Sequence, residues 1–182
     1  MQARQRNVGE QVLICRPANL AAVLRDAFYE PMRTLLGYWR ERVGPGGVLD
    51  RTRLHPEELA PLLPNLFLMD RLEGAPFDIA FRLVGTAIPQ IEGEITGRSL
   101  SSLIARSEHP MVWEHYERAL AGELCLRRQT LVWQDRDYVR YDVLLLPMSR
   151  GGAAIDALLG MALYRLLGDG PDRVAMPVGP MV

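Results

Sequence analysis

The chain has 182 residues, 48% hydrophobic and 7% aromatic, the size of one ordinary domain with enough apolar content for a core. All 21 basic residues are arginine, set against 22 acidic ones, so a net charge of −1 gives no global pull toward a polyanion. Global disorder, lysine Schiff-base chemistry and a lysine-bearing phosphate loop are excluded.

Residues 1–18 carry no clear periodicity and read as a loose arm. Their one apolar run, Val12 to Cys15, is shorter than the ~7–15 residues of a signal-peptide core. No stretch approaches the ~20 apolar residues of a membrane span, so the expectation is a soluble, cytoplasmic protein with no membrane partner. Cys15 and Cys125 form no CxxC or Cys/His spacing, and reduced thiols fit that compartment better than a disulfide.

The block from 19 to 168 is read as one domain. Asn19 suits a helix N-cap, followed by Leu20, Val23, Leu24, Ala27 and Phe28 at helical spacing. Pro31 cannot donate to the preceding turn, so the helix must kink or restart there. Leu35, Leu36, Trp39 and Val43 mark a second helical stretch, ended by Gly44 to Gly47. Pro56, Glu57 and Glu58 favour a short helix that stops at Pro64.

Strands follow at Leu66–Leu72 and Phe77–Val84, the second alternating Ile79, Phe81 and Leu83 with Asp78, Ala80 and Arg82. After a glycine-punctuated middle, Pro110 to Ala121 forms a helix with Val112, Trp113, Tyr116, Ala119 and Leu120 on one stripe. Leu124–Trp133 and Tyr138–Met148 flank the polar turn Gln134–Asp137, and a last strand spans Ala157–Leu166. Residues 169–182 interleave prolines with glycines and read as a flexible tail. Hairpin-linked strands make the fold class α+β with an antiparallel sheet.

Particular residues in this order carry a resemblance. Tyr38-Trp39, the run Leu63 to Asp70, Phe81 to Thr86, Gly93 to Leu100 and Leu144 to Met148 together resemble a family of stand-alone bacterial PAS-like domains, mostly of unassigned function. The resemblance covers roughly residues 35–167. It implies a five-stranded antiparallel sheet with short helices on one face, here with a leading N-terminal helical segment. It also implies a sensory role, with a small molecule held between sheet and helices or a protein held on the surface.

Simple packing competes with a binding role at each candidate site. Some PAS sensors bind haem through a histidine on the long helix. At ~100° per residue His115 lies at the margin of the stripe centred on Tyr116, and His109 falls at the cap. A boundary histidine and a cap explain both, leaving His115 a remote metal ligand. Photoactive flavin chemistry needs a cysteine after the second strand, where this chain has Thr96 to Leu100; neither haem nor flavin is supported, and the cofactor is unknown. Phe81, Trp113, Tyr116 and Tyr141 could line a pocket, with Arg98, Arg82 or Arg140 supplying a charge for a carboxylate. Core packing explains the aromatics equally, and a same-strand pair with Asp142 explains Arg140.

No Gly-x-Ser-x-Gly elbow or His-Glu-x-x-His motif is present, so no catalytic residue is assigned and the chain is read as no enzyme. Arg127 and Arg128 are adjacent on a strand and point to opposite faces, which makes no patch for nucleic acid. The function expected is a PAS-type sensory domain that binds a small molecule and signals to a partner protein in trans. The alternative is a ligand-free interaction or dimerisation module, with Leu24, Phe28, Leu35 and Trp39 as its interface. A nucleic-acid partner is not expected on either reading.

Overall fold

The computed structural model describes residues 7–44, 46–74, 76–132 and 138–167. The sheet contains strands β1 (Asn7–Ile14), β2 (Leu49–Asp50), β3 (Leu66–Arg71), β4 (Ile79–Val84), β5 (Cys125–Val132), β6 (Tyr138–Ser149) and β7 (Ala157–Leu167). Their order is β1-β5-β6-β7-β3-β4, antiparallel throughout except that the two-residue β2 pairs in parallel with β6. The architecture is α+β and PAS-like, with β3 to β7 forming the expected five antiparallel strands.

Helices cover both faces. On one lie α1 (Pro17–Val23) and α2 (Glu30–Arg42), with Pro31 in the first turn of α2, so the chain restarts there as proline requires. Leu24, Met32, Leu35, Leu36 and Trp39 pack with Leu126, Leu144, Leu146, Leu159 and Met161 in a single core. On the other lie α3 (Pro89–Glu92), α4 (Leu100–Leu103) and α5 (Pro110–Leu120), over a second core built from Phe67, Ile79, Phe81, Val143, Leu145 and Ala162. Alternation along β6 and β7 divides the residues between these cores, odd-numbered Leu159 and Met161 on one face and even-numbered Leu158 and Ala162 on the other.

Several sequence expectations are corrected. In the described part of the arm expected over 1–18, Asn7–Ile14 is a strand paired with β5, and α1 starts at Pro17. An edge strand takes its order from main-chain hydrogen bonds to a partner far along the chain, which leaves little local signature. Leu83 does not join the buried face but is 47% exposed. Leu68 pairs with Leu83 while Met69 pairs with Phe81, so Arg82 is an extra residue that shifts the alternation by one. Arg82 instead reaches Asp70, at 3.2 Å. Cys15 and Cys125 form a disulfide rather than free thiols. The thiol argument for a reducing compartment falls with it. The turn Gln134–Asp137, Trp133 and the tail 169–182 lie outside the described residues. Among those described, no helix is long and apolar enough to cross a membrane.

Candidate ligand site around a buried arginine

The long helix α5 starts with Pro110 in its first turn and ends before Gly122, whose φ of +96° is the left-handed turn that glycine adopts freely. Val112, Trp113, His115, Tyr116 and Ala119 are buried on its inner side. Beneath it, the β5–β6 register sets Arg127 opposite Val143 and Gln129 opposite Tyr141, and the β6–β7 register sets Tyr141 opposite Tyr164. Val143 belongs to the core under α5, so Arg127 points into that core as well.

Arg127 is only 2% exposed. It donates from Nη1 to Oε1 of Gln129, while its Nε is buried without a hydrogen-bond partner. Its guanidinium carbon lies 5.4 Å from the centroid of the Tyr141 ring, which stacks on Tyr164 at 4.9 Å and 17°. Removing a guanidinium from water costs several kcal/mol unless charge or dipoles replace the solvent, so an unfilled donor here marks incomplete compensation.

The neighbouring groups respond to that charge. His115 is fully buried, with Nε2 2.9 Å from the carbonyl oxygen of Cys125 and Nδ1 without a partner. Burial, then the Arg127 charge, pulls its pKa down to about 3 against the opposing hydrogen bond, so the imidazole is neutral at physiological pH. Burial pushes the Tyr116 hydroxyl up to about 12, with Arg127 opposing and Glu92 adding to the rise. Burial and then Glu92 also hold the Tyr141 hydroxyl well above the ordinary tyrosine range. At neutral pH the arrangement brings together hydroxyl groups, a neutral imidazole and a permanent cation, with the Glu92 carboxylate near the two tyrosines.

Of the residues expected to line a pocket, Phe81, Trp113, Tyr116 and Tyr141 come together around this core. Trp113 donates from Nε1 to the Ile104 carbonyl at 3.3 Å. Arg98 is not among them: it follows Gly97 in an exposed turn and donates to the Ser102 carbonyl at 2.9 Å. The buried arginine at this core is Arg127, which the sequence places with Arg128 only as a pair that makes no nucleic-acid patch. Their separation to opposite faces holds, and it is what buries Arg127. The remote metal ligand His115 is not marginal to the core but 0% exposed, because it packs against β5. The signal that could have found Arg127 is its odd position in β5, shared with the buried Cys125, once the hairpin register to Tyr141 is known.

Leu24, Leu35 and Trp39, expected at an interface, are buried against the chain's own sheet, and Phe28 is half-buried beside Tyr29 and Arg165. On that face Asp142, fully buried, accepts from Tyr29 at 2.7 Å, Arg140 at 3.1 Å and Arg128 at 3.3 Å. The same-strand pair of Arg140 and Asp142 is therefore present. Two surface clefts lie elsewhere, one beside Arg71, Arg150 and Asp156 and the other along β1.

A model of the PAS domain family matches residues 27–163. No curated protein matches the chain. Among solved structures it is similar to that of an RNA-binding Light-Oxygen-Voltage receptor, with 19% identity, a TM-score of 0.43, and coverage of 66% of this chain and 35% of that one. The chain thus spans about a third of that receptor's length. So slight a likeness carries no argument about what this chain binds. The expectation that nucleic acid is excluded as a partner is withdrawn on a separate ground. Net charge, a sum over all surfaces, was not sufficient ground for that exclusion.

Proposed function

The chain belongs to the PAS domain family, a sensory family not known for catalytic activity, and on that premise we propose that it binds a small anionic molecule through Arg127. The ligand sits between α5 and the sheet, its anionic oxygens taking the unfilled guanidinium donor and its body resting against Tyr116, Tyr141 and Trp113. A protein partner reads the occupied state. The observation that carries this reading is the buried Nε of Arg127, a charged donor with no hydrogen-bond partner in a wall of aromatic rings. A carboxylate is favoured because a planar guanidinium matches its two oxygens.

Native mass spectrometry of gently purified protein tests it, followed by thermal shift with acetate, benzoate, succinate and inorganic phosphate. A bound small anion, or a carboxylate-dependent rise in Tm, is expected in the wild type and lost in Arg127→Gln. Arg127→Lys, which keeps the charge and removes the fork, is expected to fold and to bind at least tenfold more weakly. A wild type that carries no adduct and responds to none of these anions overturns the reading. So does a response that Arg127→Lys leaves unchanged.

A further inference from the structure

Away from the Arg127 core, the end of β1 meets the start of β5. The register pairs Ile14 with Leu126, and the next residues outward are Cys15 and Cys125, bonded as a disulfide. Gly122 turns the chain from α5 into β5 and sets Glu123 two residues before Cys125. Arg118 on α5 holds Glu123 by Oε2 at 3.1 Å and Glu114 by Oε1 at 2.9 Å. The two sulfurs and a carboxylate oxygen of Glu123 all lie within 4.8 Å of one another.

The group is anchored on one side and reachable on the other. Cys125 is fully buried, whereas Cys15 is half-buried and forms part of the wall of a cleft of about 330 Å³ shared with Asn19, Glu114 and Arg118. Two thiolates and a carboxylate are a donor set for a thiophilic divalent cation such as zinc, with water completing a tetrahedron. The main-chain ladder of β1 on β5 keeps both cysteines adjacent when the sulfur–sulfur bond opens.

The geometry points to a redox-gated cation site: reduced Cys15 and Cys125, with Glu123, bind one zinc-type ion, and forming the disulfide expels it. A small dithiol supplies the two electrons and two protons that open the disulfide and is itself oxidised to a disulfide. Cation binding then releases the two thiol protons to solvent. In the reverse direction a disulfide oxidant takes two electrons from the thiolate pair, the sulfur–sulfur bond forms and the ion leaves. The site also touches the Arg127 core, because the Cys125 carbonyl is the partner of His115.

The full chain, reduced with a dithiol and desalted without oxygen, is titrated with Co²⁺ as a spectroscopic stand-in for zinc. One equivalent is expected to give a sulfur-to-cobalt charge-transfer band that zinc bleaches, and the oxidised chain is expected to give none. Cys15→Ser, at the half-buried position, abolishes the band with the circular dichroism retained, and Glu123→Gln weakens binding at least tenfold. No band in the reduced chain overturns the site, as does a band that survives in Cys15→Ser. An affinity unchanged in Glu123→Gln overturns the three-ligand assignment.

Discussion

The Nε2 atom of His115 lies 2.9 Å from the carbonyl oxygen of Cys125, and neither side chain has any exposed surface. Burial, and then the nearby Arg127 charge, holds the imidazole in its neutral form against that contact and makes its burial sensitive to pH.

The folded-state pKa of about 3 lies below the ordinary value of 6.5, so the unfolded chain takes up a proton first as pH falls. Stability is complete above pH 6.5 and declines below it, by about 2 kcal/mol between pH 7.5 and 5. Urea denaturation at the two pH values measures this in a window above most carboxylate titration. His115→Gln, which can still donate to the Cys125 carbonyl, should lose most of the difference.

Asp142 pairs with both Arg128 and Arg140 beneath Tyr29, whose hydroxyl is pushed up to about 12 by burial and then by the Asp142 hydrogen bond. Asp142→Asn leaves two guanidiniums facing each other over a buried amide and is expected to cost about 3–5 kcal/mol. Tyr29→Phe removes one hydroxyl and should cost only about 1–2 kcal/mol. Equal losses in the two variants, read from denaturant midpoints, would contradict an ionic origin for the first.

A methyl on Gly160 would sit 2.1 Å from the Phe67 ring, and one on Gly85 would sit 2.1 Å from the Leu63 carbonyl oxygen. Each alanine substitution is expected to cost about 3 kcal/mol. The Gly160→Ala loss should shrink in a Phe67→Leu background, because a side chain can be cut back to make room. Gly85→Ala has no such rescue, since the obstruction is backbone.

Trp39 donates from Nε1 to the Pro147 carbonyl at 2.9 Å and is buried between α2 and the sheet. Trp39→Glu is therefore expected to unfold the protein, not to separate two folded copies. Circular dichroism together with analytical ultracentrifugation distinguishes the outcomes. A folded monomer derived from a dimeric wild type would restore the interface reading for Trp39.

Local pattern read well where one element owns its signal. The helix expected over Pro110–Ala121 is Pro110–Leu120, and the strand expected over Tyr138–Met148 is Tyr138–Ser149. Phe81, Trp113, Tyr116 and Tyr141 share one core, which is the simple packing that the sequence offers beside a pocket. Local pattern fails at Leu83, where one extra residue in β4 changes the face, and at Arg98, where the turn after Gly97 directs the side chain to the Ser102 carbonyl.

The sequence by itself determined the α+β class and the order and type of the main elements after residue 18, the short β2 apart, because helical and strand periodicities are written within a few residues. Its charge arithmetic also determined what chemistry lysine cannot perform here. Only the tertiary structure decided that Arg127 enters the core, that Cys15 meets Cys125 across 110 residues, and that the leading helices close the sheet's second face. Those outcomes depend on strand register and long-range pairing, where a shift of one position exchanges the buried face for the other.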